Sequence, residues 1–158
     1  MAVRIERRSD PGSAERILRA LPTWFGIEES IVEYVADASR LPSYLAVDGT
    51  TTVGIALIVR HYSASAEIHL IAVHPDRHRT GVGTALVRAI KADLAADGVR
   101  LLQVHTVGPS FPDAGYERTR AFYRDQDFLP LQEIDGLGWH GPTQILVAVL
   151  GEGQERST

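Results

Sequence analysis

The stretch Ala66 to Leu86, AEIHLIAVHPDRHRTGVGTAL, constrains the fold of this chain more than any other, because it joins an apolar strand to a helix through a glycine turn. The strand rests on the apolar run through residues 68 to 73, which ends at His74-Pro75, where proline stops the ladder. Beyond the turn, Val82, Ala85, Leu86, Ala89, Ile90 and Leu94 recur at steps of three and four. That spacing predicts a helix with one apolar stripe running to about Asp97, where Gly98 supplies a stop. Arg88, Lys91 and Asp93 fall on its polar face.

Gly81 and Gly83 lie between strand and helix. Neither carries a Cβ to hold a ligand away from the main chain, and the first-turn N–H groups of a helix have no carbonyl partner inside it, so an anion can take them. Arg77 and Arg79 flank the turn and add positive charge, which favours a pyrophosphate over a lone carboxylate. The plain alternative is a tight turn that packs helix on sheet. Two familiar nucleotide loops fit badly. Thr84 follows Gly83 and no lysine comes before Lys91, against a P-loop. The turn lies mid-chain with two glycines, against the three of a dinucleotide fingerprint.

The rest of the chain reads as a frame around this unit. Val3 to Arg8 predicts a first strand, and Asp10 or Ser13 caps a helix with Ala14, Ile17, Leu18 and Leu21 inward, broken by Pro22. Trp24-Phe25-Gly26-Ile27 is an aromatic turn before a second helix, Glu28 to Ala38, with Ile31, Val32 and Val35 inward. Residues 43 to 47 and 53 to 61 are strands joined through Asp48-Gly49, and a turn at Ser63 to Ser65 leads into the apolar strand, giving an antiparallel meander. Leu101 to Thr106 is the fifth strand. The helix crossover from the fourth makes that pair parallel. A helix from Tyr116 to Gln126, with Thr119, Phe122 and Tyr123 on one side, precedes strands near 129–134 and 144–150, and 151–158 reads as a frayed polar tail. Residues 1–150 are expected to form a single domain, with no repeat and no linker.

A chain of 158 residues is long enough to bury a core. With no cysteine it can form no disulfide, thiolate zinc site or cysteine nucleophile, which fits a reducing compartment. The start is a charged alternating segment rather than an apolar leader, and no run approaches the roughly 18 apolar residues of a membrane span. The expectation is a cytoplasmic protein with no membrane partner. Net charge is −4 with scattered arginines, which disfavours nucleic acid.

A strand ending in His74-Pro75, then His78-Arg79-Thr80-Gly81-Val82-Gly83, a long helix, a parallel strand and a helix carrying Phe122-Tyr123 resembles the GNAT superfamily, the GCN5-related N-acetyltransferases. The resemblance spans residues 3 to about 150. The family's acyl-CoA motif is usually Gln or Arg, two residues, Gly, one residue, Gly or Ala. Gly81 and Gly83 match, and His78 stands where Gln or Arg is usual. A second motif, Asn, two residues, Ala, two residues, Phe-Tyr, three residues, Gly-Phe, appears here as Tyr116, Thr119, Phe122-Tyr123 and Asp127-Phe128; Tyr123 and Phe128 match, and Tyr116, Thr119 and Asp127 depart.

The resemblance implies an α/β (α+β) fold: a mixed, mostly antiparallel sheet of six to seven strands with about four helices, strands four and five parallel and splayed. It implies acetyl-CoA as acyl-donor cosubstrate and no metal. Residues 78–84 (His78, Arg79, Thr80, Gly81, Val82, Gly83, Thr84) would hold the pyrophosphate, and the backbone of Ile71, Ala72 and Val73 the pantetheine arm and the acetyl carbonyl. Arg124 would reach the phosphates or stand in solvent, and Thr84 would add a hydroxyl or cap the helix.

Transfer to an amine requires a proton acceptor, because an amine near pKa 10 arrives protonated. Glu67, fourteen residues before Gly81, has the placement of the catalytic glutamate in the histone-acetylating branch of the family, and a period of two puts His69 on its face. His105 is a third candidate. For each, an ordinary core or surface role is the alternative. Tyr123 matches the tyrosine that reprotonates the CoA thiolate in the family, the alternative being an apolar anchor. Trp24, Phe25, Tyr34, Tyr62, His105 and Trp139, the last in the rigid turn Trp139-His140-Gly141-Pro142, are candidates for the substrate wall, although such aromatics are often core. The expected reaction is direct acetyl transfer to a small primary amine, with a protein N-terminus or lysine as a second substrate class. A non-catalytic acyl-CoA-binding sensor or interaction module is the reading from another class. Dimers are frequent in the family, so a homodimer is an open partner.

Overall fold

The computed structural model describes residues 2–151, so most of the expected tail lies outside the described residues. Among them seven strands, β1 (Arg4–Arg7), β2 (Ser43–Asp48), β3 (Thr51–Tyr62), β4 (Ser65–Val73), β5 (Leu101–Val107), β6 (Leu129–Asp135) and β7 (Pro142–Val149), form one sheet in the order β1-β2-β3-β4-β5-β7-β6. Among the described residues four α-helices accompany it: α1 (Pro11–Arg19), α2 (Glu28–Arg40), α3 (Val82–Ala96) and α4 (Ala114–Asp125). β4 and β5 run parallel, with register from Ser65↔Leu101 to Ile68↔Val104. The pairs β1·β2, β2·β3, β5·β7 and β6·β7 are antiparallel. This is the mixed, mostly antiparallel sheet with a parallel central pair that the strand and crossover pattern predicts.

By its internal contacts the chain divides into two compact units, the first holding the chain up to Val59 and His69–Asp93, the second Arg60–Ile68 and the chain from Leu94 on. In the first, Asp10 caps α1 by accepting from the Ser13 amide at 3.1 Å, and proline occupies the first turn, where its missing N–H costs nothing. Ala14, Ile17, Leu18 and Leu21 pack with Ile31 and Ala38 of α2 against Leu45, Val47, Ile55, Leu57, Leu70 and Ala72 of β2 to β4. α2 runs two residues past the expected end, to Arg40, and Val32 is 56% exposed rather than inward. The buried stripe follows Ile31 and Ala38, seven residues apart, with Val35 partly buried, and position 32 lies about 100° around the helix from Ile31. α3 buries Val82, Leu86, Ile90 and Leu94 as its spacing predicts, and Val87 as well. β3 meets α3 at Gly54, where an added Cβ would sit 2.9 Å from Val82 Cγ1 and 3.1 Å from Leu86 Cδ1. Only glycine admits so close an approach of strand and helix.

In the second unit the amides of Arg100 and Leu101 donate to the Ala64 carbonyl at 2.8 and 3.0 Å, which fixes where β5 starts. α4 starts at Ala114, earlier than expected, because the Asp113 carboxylate accepts from the amides of Gly115 and Tyr116. Pro142 is the first residue of β7 rather than part of the turn before it.

Candidate active site

The glycine turn is built from the end of β4 onward. β4 alternates, with Leu70 and Ala72 buried and Ile71 and Val73 half-buried, so its backbone rather than an unbroken apolar run leads into the turn. The His74 amide donates to the Val53 carbonyl at 2.8 Å, and the His74 ring accepts from the Asp76 amide at 3.2 Å. Pro75–Arg77 make one 3-10 turn. His78 Nε2 then lies 2.8 Å from the Val73 carbonyl oxygen. A carbonyl only accepts, so this nitrogen carries the hydrogen, and the ring ties the loop back to the strand. Trp24 meets the same ring edge-on at 5.9 Å.

Thr80 Oγ1 donates to the Arg77 carbonyl at 2.6 Å. Arg79 (φ 63) and Gly81 (φ 89) both occupy the left-handed region, which turns the chain sharply into α3. Beyond Gly81 itself and its two chain neighbours, no heavy atom lies within 4 Å of where its Cβ would sit, so the space over this backbone is open. The first bond of α3 runs from the Ala85 amide to the Gly81 carbonyl at 3.0 Å, which leaves the amides of Val82 and Gly83 without an acceptor inside the helix. The charge differs from expectation. Arg77 is in an ion pair with Asp48 and brings little net charge, whereas Arg79 is exposed with no ion-pair partner among the described residues. Open space, first-turn amides and an unpaired guanidinium suit a pyrophosphate.

The first unit also holds His69, whose Nε2 lies 2.8 Å from Asp37 Oδ2, and Asp37 is in turn in an ion pair with Arg40. Tyr34 stands 5.4 Å from the His69 ring, and Phe25 meets Tyr34 at 5.8 Å. Trp24, Phe25 and Tyr34 are partly buried and pack on the hydrophobic core, so they serve the core as well as any wall.

In the second unit Glu67 Oε1 lies 2.7 Å from His61 Nε2 and accepts from Gln103 Nε2 at 3.0 Å. Glu67 and His69, expected as a pair, therefore have different partners. Tyr123 is only 5% exposed, its ring 5.4 Å from Phe122 and 5.6 Å from Phe128. Tyr116 is half-buried, and burial first, then the charge of Asp113, push its phenol above the usual range. Thr119 Oγ1 donates to the Gly115 carbonyl at 3.1 Å. Tyr62 is 80% exposed and lines no buried wall, and His105 and Arg124 are exposed. Trp139 is half-buried, donating from Nε1 to Thr143 Oγ1 at 3.1 Å with Phe111 edge-on at 5.8 Å.

The sequence profile of the Acetyltransferase (GNAT) family matches residues 12–128. The chain belongs to the GNAT acetyltransferase family. Among solved structures, a GNAT-family protein from Desulfovibrio desulfuricans superposes with a TM-score of 0.83 at 20% identity, over 95% of this chain and 100% of that one. The ribosomal-protein-S18-alanine N-acetyltransferase of Escherichia coli gives 0.74 at 17% identity, over 99% of each chain. An aminoglycoside 6'-N-acetyltransferase complexed with coenzyme A gives 0.71 at 17%, over 94% of this chain and 97% of that one. At these identities the likeness is one of fold. A search of curated protein sequences finds no match.

As a GNAT protein, the chain departs from the family motif at Asp127, which has φ 65, a backbone that glycine adopts without strain and aspartate tolerates better than most. Phe128, beside it, is fully buried on Tyr123. Sequence reasoning missed Asp37, Asp48, His61 and Gln103. Gln103 had a signal, since it is the direct β5 partner of Glu67 in the parallel register. Asp37 had a weaker one, three residues after Tyr34 on α2. No helix of the described residues is long and apolar enough to cross a membrane.

Proposed function

We propose that this chain is an N-acetyltransferase that moves the acetyl group of acetyl-CoA directly onto a primary amine, with a small molecule as acceptor. The observation that carries the reading is the turn at 78–83 in a chain of the GNAT family: Gly81 at φ 89 under open space, helix amides beyond it and an unpaired Arg79. The amides of Val82 and Gly83 and the Arg79 guanidinium would hold the pyrophosphate, and the backbone of Ile71, Ala72 and Val73 the pantetheine arm. Acetyl-CoA supplies an acyl group already activated as a thioester.

The chain's own residues supply the proton chemistry. An alkylammonium has no lone pair, so Glu67 or His69 takes a proton from it before the nitrogen can attack. A backbone amide near Val73 would stabilise the oxyanion. The Tyr123 phenol gives a proton to the departing sulfur. Burial of this tyrosine among Phe122 and Phe128 supports a fixed ring, which a positioned acid requires. The folds of an aminoglycoside and a ribosomal-protein acetyltransferase both superpose on this chain, and the Phe25 and Tyr34 rings beside His69 would offer apolar surface to a small acceptor.

Calorimetric titration of acetyl-CoA, with NAD as control and Gly81→Glu beside the wild type, tests the cradle. Saturable binding that the variant loses, with NAD silent, is the expected result, and no binding by folded wild type refutes the reading. Tyr123→Phe separates enzyme from sensor. An enzyme loses turnover by about a hundredfold or more while still binding acetyl-CoA, and a sensor shows turnover in neither form.

A further inference from the structure

His69 and Asp37 lie 32 positions apart in the chain, and their side chains meet at 2.8 Å. A carboxylate in its ionised form only accepts, so His69 Nε2 carries the hydrogen and, in the neutral ring, Nδ1 keeps its lone pair. Asp37 is held from its other oxygen by Arg40, three residues along α2, and its side chain is only 15% exposed. Tyr34, from the same helix, places its ring 5.4 Å from the imidazole. Tautomer and ring orientation are thus both set by α2. Of the two proton acceptors on β4, Glu67 Oε1 already accepts from Gln103 and faces His61, whereas His69 Nδ1 meets no donor among the described residues.

We propose that His69 and Asp37 form the proton-accepting dyad of the transfer, His69 as general base toward the acceptor amine and Asp37 as the positioning residue that sets its tautomer and angle. The proposal rests on the N-acetyltransferase reading above. His69 Nδ1 takes one proton from R–NH3+, giving R–NH2 and a ring with two N–H bonds whose charge lies against Asp37. The amine lone pair forms the N–C bond of the amide as the thioester C–S bond breaks, and the sulfur leaves with that electron pair. Tyr123 protonates the sulfur and recovers a proton, through solvent, from the second one lost by the nitrogen. His69 releases its proton to solvent, so each amide formed liberates one proton. A base held in one tautomer by a carboxylate and fixed by packing needs no reorganisation before it acts.

The test uses acetyl-CoA with a fixed set of primary amines: phenylethylamine, spermidine and a lysine-bearing hexapeptide with a free N-terminus. His69→Ala is expected to lose about a hundredfold in turnover while binding acetyl-CoA as the wild type does, with added imidazole restoring roughly tenfold. Asp37→Asn is expected to lower kcat roughly tenfold or more with little change in KM for the amine, and to move the His69 ring, read by nitrogen NMR, away from the Nε2–H tautomer. A residue that served only to hold α2 on β4 would show neither imidazole rescue at position 69 nor a loss confined to kcat at position 37. Turnover by His69→Ala within twofold of wild type overturns the proposal. So does a loss that imidazole leaves untouched, or a wild-type ring with its hydrogen on Nδ1. If His69→Ala fails to fold, the kcat and KM of Asp37→Asn, read with its ring spectrum against the wild type, decide the question. A wild type that binds acetyl-CoA but acetylates none of these amines overturns the base role. A wild type that neither binds acetyl-CoA nor acetylates any of the three overturns the transferase reading, and the base role with it.

Discussion

Gly81→Ala isolates the conformational cost of the glycine turn. At φ 89, with no heavy atom within 4 Å of the added methyl, an alanine here clashes with nothing, so its whole effect comes from backbone strain. A left-handed residue other than glycine costs about 1–2 kcal/mol. Alanine recovers roughly 0.4–1 kcal/mol of that by stiffening the unfolded chain. The net loss is about 1 kcal/mol, or some 2–4 °C in Tm for a chain of this length. Asparagine enters the left-handed region more readily than alanine, so Gly81→Asn should lose less than half as much. Scanning calorimetry of the three proteins, without acetyl-CoA, measures this. Gly81→Ala melting with the wild type, or Gly81→Asn melting below Gly81→Ala, would show that the turn relaxes to another backbone and refute the reasoning.

Asp127→Gly is the mirror experiment: at φ 65 the aspartate bears the strain, and the glycine variant should gain about 0.5–1 kcal/mol in urea denaturation, no gain meaning that Asp127 makes compensating contacts. Gly54→Ala should lose about 1–3 kcal/mol, because its Cβ would lie 2.9 Å from Val82 Cγ1 and 3.1 Å from Leu86 Cδ1, so that these side chains or the helix carrying them must shift; an unchanged denaturation midpoint would contradict that packing. Asp10→Ala should lose about 1 kcal/mol with the α1 cap. Burial raises the Asp10 carboxyl, but hydrogen bonds from Ser13 and Thr52 and the charge of Arg8 together hold it below the usual aspartate value. A lowered folded-state pKa gives stability that is fully present above the unfolded-state value, about 3.9, and lost as the pH falls through the folded one. The difference between wild type and Asp10→Ala should therefore hold steady near neutrality and narrow in acid, and a difference independent of pH would count against the charged cap.

What could be read in the sequence is what local chemistry decides. Pro75 ends a ladder, Gly81 and Gly83 open a helix and Asp10 caps one, whatever the rest of the chain does, and each of these stands where the residues indicate. Helix phase was harder. Ile31, Val32 and Val35 are equally apolar, and only the direction from which β2 to β4 approach decides that Val32 faces water. The partners of the site residues were out of reach for a stronger reason. Asp48 neutralises Arg77 across 29 positions and Asp37 holds His69 across 32, so both depend on strand register and helix placement that the sequence does not state. Arg77 and Arg79 look alike in the sequence, but of the two it is Arg77 that has an ion-pair partner among the described residues.

His78 departs from the family motif, yet its ring still ties the loop to the strand. The family's Gln or Arg at this position would be expected to bring a side-chain donor, and His78 has spent its Nε2–H on the Val73 carbonyl. That bond closes a loop from the last residue of β4 to the third residue before Gly81, and Trp24 packs against the ring that makes it. With the entry so pinned, the two left-handed residues at 79 and 81 have to reverse the chain within a few positions, and the first amides of α3 emerge at the end of a fixed path. The donors for an anion are main-chain groups, so their aim depends on the path of the backbone rather than on the side chain at 78. It follows that His78→Ala should damage acetyl-CoA binding through the loop, with weaker binding and a lower Tm together. His78→Gln can still donate to Val73 and should restore both. Loss of binding at an unchanged Tm would mean instead that the ring touches the ligand itself.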